Sequence, residues 1–181
     1  METKEEIKGE FRSSNISLIL DSYQDIFSDF DARPSYSEKA ISDDFLVECE
    51  RAAMDKADAE FELILFVPKA KRNLNEEFKI KKRLKDHFHK HFLEKEHGIK
   101  KIKREGMKWV LIGTVLMMGA TAIETYAKNF LTNLLFIIME PASWFSFWEG
   151  LGKIFIEAQE KESKFTFYKK MSKCHIIFRS Y

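Results

Sequence analysis

The chain has 181 residues, and its 30 Lys and Arg against 29 Asp and Glu give a formal charge of +1. So balanced a charge creates no overall basic field, which argues against nucleic acid as a partner. Its 2 cysteines exclude a disulfide scaffold and fit a reducing compartment. The charge is unevenly spread, however, because residues 108–152 carry only 5 charged side chains. This distribution indicates a polar protein that contains one membrane segment.

The polar parts predict a small α/β domain with a sheet of about three strands. Residues 15–20 (NISLIL) and 61–67 (FELILFV) are short and rich in β-branched or aromatic residues, so both are predicted strands. Residues 37–57 between them have apolar positions at helical spacing, with Ser35 or Ser37 as the expected N-cap. A strand, a helix and a strand predict a βαβ unit with parallel strands. The last apolar run, 175–180 (HIIFRS), is expected to return to this sheet.

A long basic amphipathic helix is predicted to begin at Asn73 and, unless Gly98 breaks it, to run nearly into the membrane segment. A polar helix is predicted around residues 155–172. The apolar side of the long helix is expected to contain Leu74, Phe78, Leu84, Phe88, Phe92, Ile99 and Ile102.

Two apolar stretches, joined by a short turn around residues 126–130, predict a transmembrane helical hairpin over residues 108–152. The first, residues 109–127, corresponds to about 28 Å of helix, close to the roughly 30 Å of a bilayer core. The second, residues 129–152, is interrupted by Glu140 and Glu149. The alternative is a buried hairpin in a soluble helical domain. The first stretch lacks the polar stripe of a soluble surface helix, which favours the membrane.

Basic residues flank both apolar stretches, whereas the turn between them carries only Lys128. The positive-inside rule therefore predicts a multi-pass protein of the inner (cytoplasmic) membrane with both termini in the cytoplasm. This divides the chain into a cytoplasmic α/β region (1–107), the transmembrane hairpin (108–152), and a cytoplasmic helix and strand that return to the sheet (153–181).

Three sequence blocks carry a resemblance to a known group of proteins. They are ISLILDSYQDIFSDFDARPSYSEKAISDDFL (16–46), EPASWF (140–145) and FYKKMSKCHIIF (167–178). Together they resemble a family of small uncharacterised two-helix membrane proteins from bacteria and archaea. The resemblance covers most of the chain and implies the architecture. Because that family has no established activity, it implies no functional residue.

An acidic block follows the first predicted strand, at Asp21, Asp25, Asp29 and Asp31, with Arg33 close behind. In a parallel sheet, ligands bind beyond the carboxyl ends of the strands. Several carboxylates at such an edge suit Mg²⁺ or Ca²⁺. The alternative is that these side chains cap turns and pair with Arg33, as Asp commonly does in loops. Both interpretations stay open.

The long helix contains 4 of the 5 histidines, at positions 87, 89, 91 and 97. On a helix only His87 and His91 share a face, which gives two metal ligands and no third. Arg83 and His89 match the loose Arg–x(4–6)–His pattern of HEPN ribonucleases, a permissive pattern in a helix rich in Lys, Arg and His. The alternative is a solvated basic face near a membrane.

The membrane segment has polar positions at Glu140, Pro141 and Glu124. A charge at mid-membrane costs about 2.5–3.5 kcal/mol on insertion scales, and Pro141 frees a carbonyl one turn earlier. Glu140 is expected either to hydrogen-bond to Thr114, Thr121 or Asn133, or to line a pore or proton path. Trp144 and Trp148 are predicted interfacial anchors.

The sequence has no Walker loop, GxGxxG, GxSxG, HExxH or paired CxxC motif, so it predicts no cofactor and nominates no catalytic residue. The leading prediction is an integral membrane protein without catalysis, a scaffold or sensor whose partners are the lipid bilayer and other copies of itself. The first alternative is an oligomeric pore with Glu140 in the conduit. The second is a membrane-tethered metal-dependent hydrolase or nuclease that uses the Asp block or Arg83 and His89.

Overall fold

The computed structural model describes residues 15–54, 62–126 and 129–181. These residues form mainly helices, together with one three-stranded parallel sheet. The strands are β1 (Ile16–Ile19), β2 (Glu62–Val67) and β3 (His175–Ser180). The helices are α1 (Asp43–Met54), α2 (Leu74–Tyr126), α3 (Phe130–Gly152), α4 (Ala158–Glu160) and α5 (Glu162–Lys173), with a π-helical segment at Lys153–Glu157 and 3-10 turns at Tyr23–Ile26 and Lys69–Lys71.

Strand β2 is the centre of the sheet and pairs in parallel with both neighbours. Ile16 lies opposite Leu63, and Phe178 lies opposite Leu65. All of β2 from Leu63 to Val67 is buried, as its near-continuous apolar sequence requires. The predicted parallel sheet, including the return of the last strand, is therefore confirmed. Phe61, the predicted first residue of this strand, lies outside the described residues.

Helix α1 begins six residues later than the nearer predicted N-cap, at Asp43. Leu46 donates its backbone N–H to the carbonyl of Ser42, so Ser42 holds the N-cap position. Ser35 and Ser37 instead lie in a separate turn, in which their hydroxyls are 2.7 Å apart. The prediction of Ser35 or Ser37 as N-cap is wrong, because an antiparallel bridge between Phe27 and Ile41 keeps the chain extended up to the helix.

The main core lies between one face of the sheet and helices α1, α2 and α5. Helix α2 contributes Ile80, Leu84 and Phe88, which are all fully buried. Leu74 and Phe78, by contrast, are 77% and 72% exposed, so that part of the predicted apolar face is wrong. At 100° per residue, Phe78 lies about 120° away from the stripe that contains Leu84. The other members of this core are Ile16, Leu20, Tyr23, Ile26, Phe27, Ile41, Phe45, Cys49, Ala53, Leu63, Leu65, Val67, Phe167, Met171, Cys174, Ile176 and Phe178.

The chain divides into two compact units, and α2 continues through Gly98 into the second. The sheet unit comprises Met1–Leu93 and Thr166–Tyr181, and the hairpin unit comprises Glu94–Phe165. The hairpin unit covers more of the chain than the predicted apolar segment of residues 108–152. It extends further because α2 also contacts the π-helical segment that follows α3, where a Cβ on Gly106 would lie 2.7 Å from Ile154 Cγ1.

Candidate functional site

A buried carboxylate lies in the sheet unit. Glu77, in the first turn of α2, is only 3% exposed. Arg72 donates two parallel hydrogen bonds to this carboxylate, from Nε to Oε1 at 2.8 Å and from Nη2 to Oε2 at 2.9 Å. The Tyr23 hydroxyl donates to the same Oε1 at 3.0 Å and accepts the backbone N–H of Asn73 at 2.9 Å. Both carboxylate oxygens of Glu77 and the hydroxyl of Tyr23 are thus paired, as burial requires.

The network joins three parts of the chain, namely the 3-10 turn at Tyr23, the segment from Arg72 to Glu77 and strand β3. Arg72 Nη2 also donates to the carbonyl of Phe178 in β3, at 3.3 Å. Burial raises the pKa of Glu77, but hydrogen bonds from Arg72 and Tyr23 outweigh it, so the pKa lies below its usual value of 4.5. An ionised carboxylate with its lone pairs engaged is a poor general base. We interpret Glu77 as the structural clamp between the start of α2 and the sheet.

Sequence reasoning missed this network, although one signal pointed to it. Glu77 lies three, seven and eleven residues before Ile80, Leu84 and Phe88, which places it on the buried stripe of α2. A charged residue on the apolar face of a helix needs a buried partner.

The Asp block is divided between separate structural tasks. Asp25 caps the first 3-10 turn, because its Oδ2 accepts the backbone N–H groups of Asp21 at 2.7 Å and Ser22 at 3.0 Å. Asp31 accepts Arg33 Nε at 2.9 Å and the backbone N–H of Ala40 at 2.6 Å. The hydrogen bond from Arg33 is the main cause that holds the pKa of Asp31 well below its usual range. These contacts confirm the capping and pairing interpretation for Asp25 and Asp31.

The carboxyl end of β1, where Asp21 lies, is in contact with other parts of the sheet unit. Lys71 Nζ donates to the carbonyl of Asp21 at 3.0 Å. The Tyr181 hydroxyl lies 3.3 Å from the carbonyl of Leu20 and 3.4 Å from Asp21 Oδ1. Asp29 is exposed. Within the described ranges, no three His, Cys, Asp or Glu side chains converge on a point that suits a metal ion.

The histidines and Arg83 of α2 do not form one site. Arg83 is half-buried and donates from Nε to the carbonyl of Lys39 at 2.9 Å, whereas His89 is exposed. Six residues of helix turn the two side chains about 120° apart. The rings of His87 and His91 are neighbours, 4.4 Å apart, and Tyr168 lies 5.3 Å from His91. This geometry gives the nuclease alternative no support.

In the hairpin unit, small residues bring the backbones of α2 and α3 into direct contact. A Cβ built on Gly113 would lie 2.6 Å from the backbone nitrogen of Phe147, and one on Gly150 would lie 2.6 Å from the carbonyl oxygen of Gly106. Residues that come later in α2 contact residues that come earlier in α3, so the two helices are antiparallel. Gly106, Gly113 and Ala120 are buried at a seven-residue spacing, which is the repeat of a tightly packed helix pair.

The hydroxyl groups of the apolar helices are satisfied within their own helices. Thr114 donates to the carbonyl of Val110 at 2.8 Å, and Thr121 donates to that of Met117 at 2.9 Å. The other Ser and Thr hydroxyls between residues 108 and 152 also donate to a carbonyl three or four residues earlier, at Thr125, Thr132, Ser143 and Ser146. Such bonds let polar residues lie in an apolar surrounding without a partner helix.

The two carboxylates Glu124 and Glu140 differ from these hydroxyl groups. Both are exposed, as is Pro141, and no described residue forms a hydrogen bond or ion pair with either carboxylate. α3 continues through Pro141, which has no N–H to give the carbonyl of Ile137. Trp144 and Trp148 stack 6.2 Å apart on the outside of α3, one turn from each other.

Both apolar helices are long enough to cross a membrane, and their apolar side chains face outward. Only 17% of the most apolar 18-residue window of the first helix is buried, and 11% of that of the second. A core helix of a soluble protein would be mostly buried. The exposed side chains include Leu111, Val115, Met118, Leu131, Ile137, Ile138, Phe145 and Trp148.

Comparison of the chain with family models, curated proteins and solved structures finds no match. The resemblance to a family of small two-helix membrane proteins therefore stays a prediction.

Proposed function

We propose that this is an integral membrane protein without catalysis, in which α2 and α3 anchor a cytoplasmic sheet unit that serves as a self-associating scaffold or sensor. The observation that carries the proposal is the apolar surface of the helix pair. Leu111, Val115 and Ile137 are each at least 60% exposed, and so much exposed apolar surface is costly in water. A lipid bilayer covers such a surface and leaves the polar sheet unit in solution.

The topology is testable with two engineered cysteines, because neither native cysteine is expected to react with a maleimide. Cys49 and Cys174 are buried, and burial raises the pKa of the Cys174 thiol to about 11, so neither reacts readily. With both termini inside, Asn129→Cys in intact cells should react with a membrane-impermeant maleimide. Ser180→Cys should react only after the membrane is permeabilised. Both positions are exposed, so labelling of both from the same side would overturn this topology.

Self-association follows from Glu140. The helix pair leaves this carboxylate on its outer surface, in the middle of an apolar stretch. An ionised or unpaired carboxylate facing lipid costs about 2.5–3.5 kcal/mol or more. Contact with a second copy removes that cost, and closed rings are the commonest way in which identical subunits achieve it. We therefore propose a homo-oligomer in which Glu140 faces a neighbouring subunit or a central axis.

Glu140→Leu should change the mass of the detergent-solubilised particle, because it removes the polar group that a neighbour satisfies. Glu149→Gln is the matched control. It removes a carboxylate from the same helix, but one that Lys153 accompanies at 3.4 Å. Mass photometry at low protein concentration should show an oligomer for the wild type and the control. A wild-type monomer, or equal masses for all three proteins, would count against the role of Glu140.

A second candidate function, an oligomeric pore, is favoured by the same exposed carboxylate. A ring of Glu140 side chains around an axis would attract cations. Cation flux through reconstituted liposomes that Glu140→Gln abolishes, with the oligomer intact, would favour the pore over the scaffold.

A further inference from the structure

The hairpin unit contains a cavity of about 300 Å³ beside the end of α3. Its wall is formed by α2, the π-helical segment, α4 and the start of α5. The lining residues are Lys103, Ile154, Phe155, Ala158, Gln159 and Glu162. A π-helical turn is rare, and such turns are frequent at functional sites.

The cavity combines an apolar wall with one cation, one anion and one amide. Ile154, Phe155 and Ala158 form the apolar part, whereas Lys103 and Glu162 bring opposite charges. No ion pair among the described residues involves either Lys103 or Glu162. Other charged residues nearby do form ion pairs, since Lys153 and Lys161 both lie within 4.0 Å of Glu157. A cation and an anion that share one cavity without pairing are complementary to a zwitterion.

The position of the cavity along the chain matches the headgroup layer, if α2 and α3 cross the bilayer as proposed above. Lys103 lies six residues, about 9 Å of helix, before Trp109. The other side of the cavity begins two residues after Gly152. Phe155 and its neighbour Ile156 are 66% and 64% exposed, as expected for side chains that lie beside acyl chains.

We propose that this cavity binds the headgroup of phosphatidylethanolamine. The phosphate is placed at the Lys103 ammonium, and the primary ammonium of the lipid donates hydrogen bonds to the Glu162 carboxylate and the Gln159 amide oxygen. An acyl chain continues along Phe155. Phosphatidylcholine has the same net charge but a trimethylammonium without N–H donors, and phosphatidylglycerol has no cation, so the cavity discriminates against both. This inference rests on the proposed membrane location.

Native mass spectrometry of the full chain in mild detergent tests the assignment. The protein is mixed with equal amounts of phosphatidylethanolamine, phosphatidylcholine and phosphatidylglycerol with identical acyl chains. The wild type should retain phosphatidylethanolamine about tenfold over phosphatidylcholine, the factor expected for charge-assisted hydrogen bonds. Glu162→Gln should remove that preference, and Lys103→Gln should weaken the binding of both phosphate-bearing zwitterions.

Matched controls are Glu160→Gln and Lys101→Gln, which change exposed residues two positions away from Glu162 and Lys103 that do not line the cavity. Both should bind lipid as the wild type does. Equal retention of the three lipids by the wild type, a preference for phosphatidylglycerol, or equal losses in variants and controls would overturn the proposal. Membrane fractionation separates this failure from that of the proposed function: carbonate-resistant pelleting without lipid selectivity refutes the cavity alone, whereas release by carbonate refutes the membrane location.

Discussion

Replacing Gly113 by alanine is expected to destabilise the hairpin unit by about 1–3 kcal/mol, the range for overpacking a close contact. The added Cβ would lie 2.6 Å from the backbone nitrogen and 2.9 Å from the Cα of Phe147. Neither atom belongs to a flexible side chain, so only separation of α2 from α3 makes room. Thermal unfolding of the full chain in mild detergent, followed by circular dichroism, measures the loss.

The same substitution at Gly98 provides the control, because it lies on the same helix. A Cβ at Gly98 meets nothing within 4 Å. Alanine there should stabilise the helix by about 0.5–1 kcal/mol, since glycine loses more backbone freedom on folding. The two identical chemical changes are therefore expected to have opposite signs. If Gly113→Ala is as stable as Gly98→Ala, then the close contact between α2 and α3 is not what holds the hairpin unit together.

Replacing Glu77 by alanine should lower the free energy of unfolding of the sheet unit by about 3–5 kcal/mol, which is the cost of removing one partner of a buried ion pair. We expect the lower end of this range, because 28% of the Arg72 side chain still reaches water. The exposure of Cys49 and Cys174 in urea, read with a thiol reagent, reports on this unit alone because both thiols lie in its core.

The neighbouring Glu76→Gln supplies the control, since Glu76 forms only a surface pair with Lys79 at 3.0 Å, worth about 0–1 kcal/mol. Acid gives a second readout. Because the folded-state pKa of Glu77 lies below its usual 4.5, its contribution is complete above that value and is lost as the pH falls through the lowered pKa. Glu77→Gln should lack this part of the acid sensitivity. Identical acid profiles of this variant and the wild type would show that Glu77 is not the titrating clamp.

The Asp block shows which contacts a local residue pattern can predict. Asp25 and Asp31 are near one another in sequence, and capping is the role that such spacing most simply predicts. The hydrogen bonds to Asp21, Ser22, Arg33 and Ala40 bear this out. The clamp at Glu77 is different in kind. Its partner Tyr23 is 54 residues away in the chain, and no local spacing relates the two.

The small residues of α2 show a related limit. Gly113, Gly119 and Ala120 predict that some helix approaches closely, and composition alone leaves open whether that helix belongs to the same chain or to another copy. The structure assigns Gly113 to a contact with Phe147 of the same chain. Because Gly113 is engaged within one chain, the proposed self-association depends on Glu140.

By itself, the sequence determined the parallel three-stranded sheet, the two long apolar helices and the local capping by Asp25 and Asp31. These features follow from periodicity, length and short-range hydrogen bonding, which neighbouring residues specify. Only the tertiary structure decided the Glu77 clamp, the exposure of Leu74 and Phe78, and the start of α1 after the bridge between Phe27 and Ile41. Each of these depends on residues that lie far apart in the chain or on which face of an element packs against the core. The free energy of burial comes from contacts between segments, so the residue pattern of one segment does not show which of its side chains are buried.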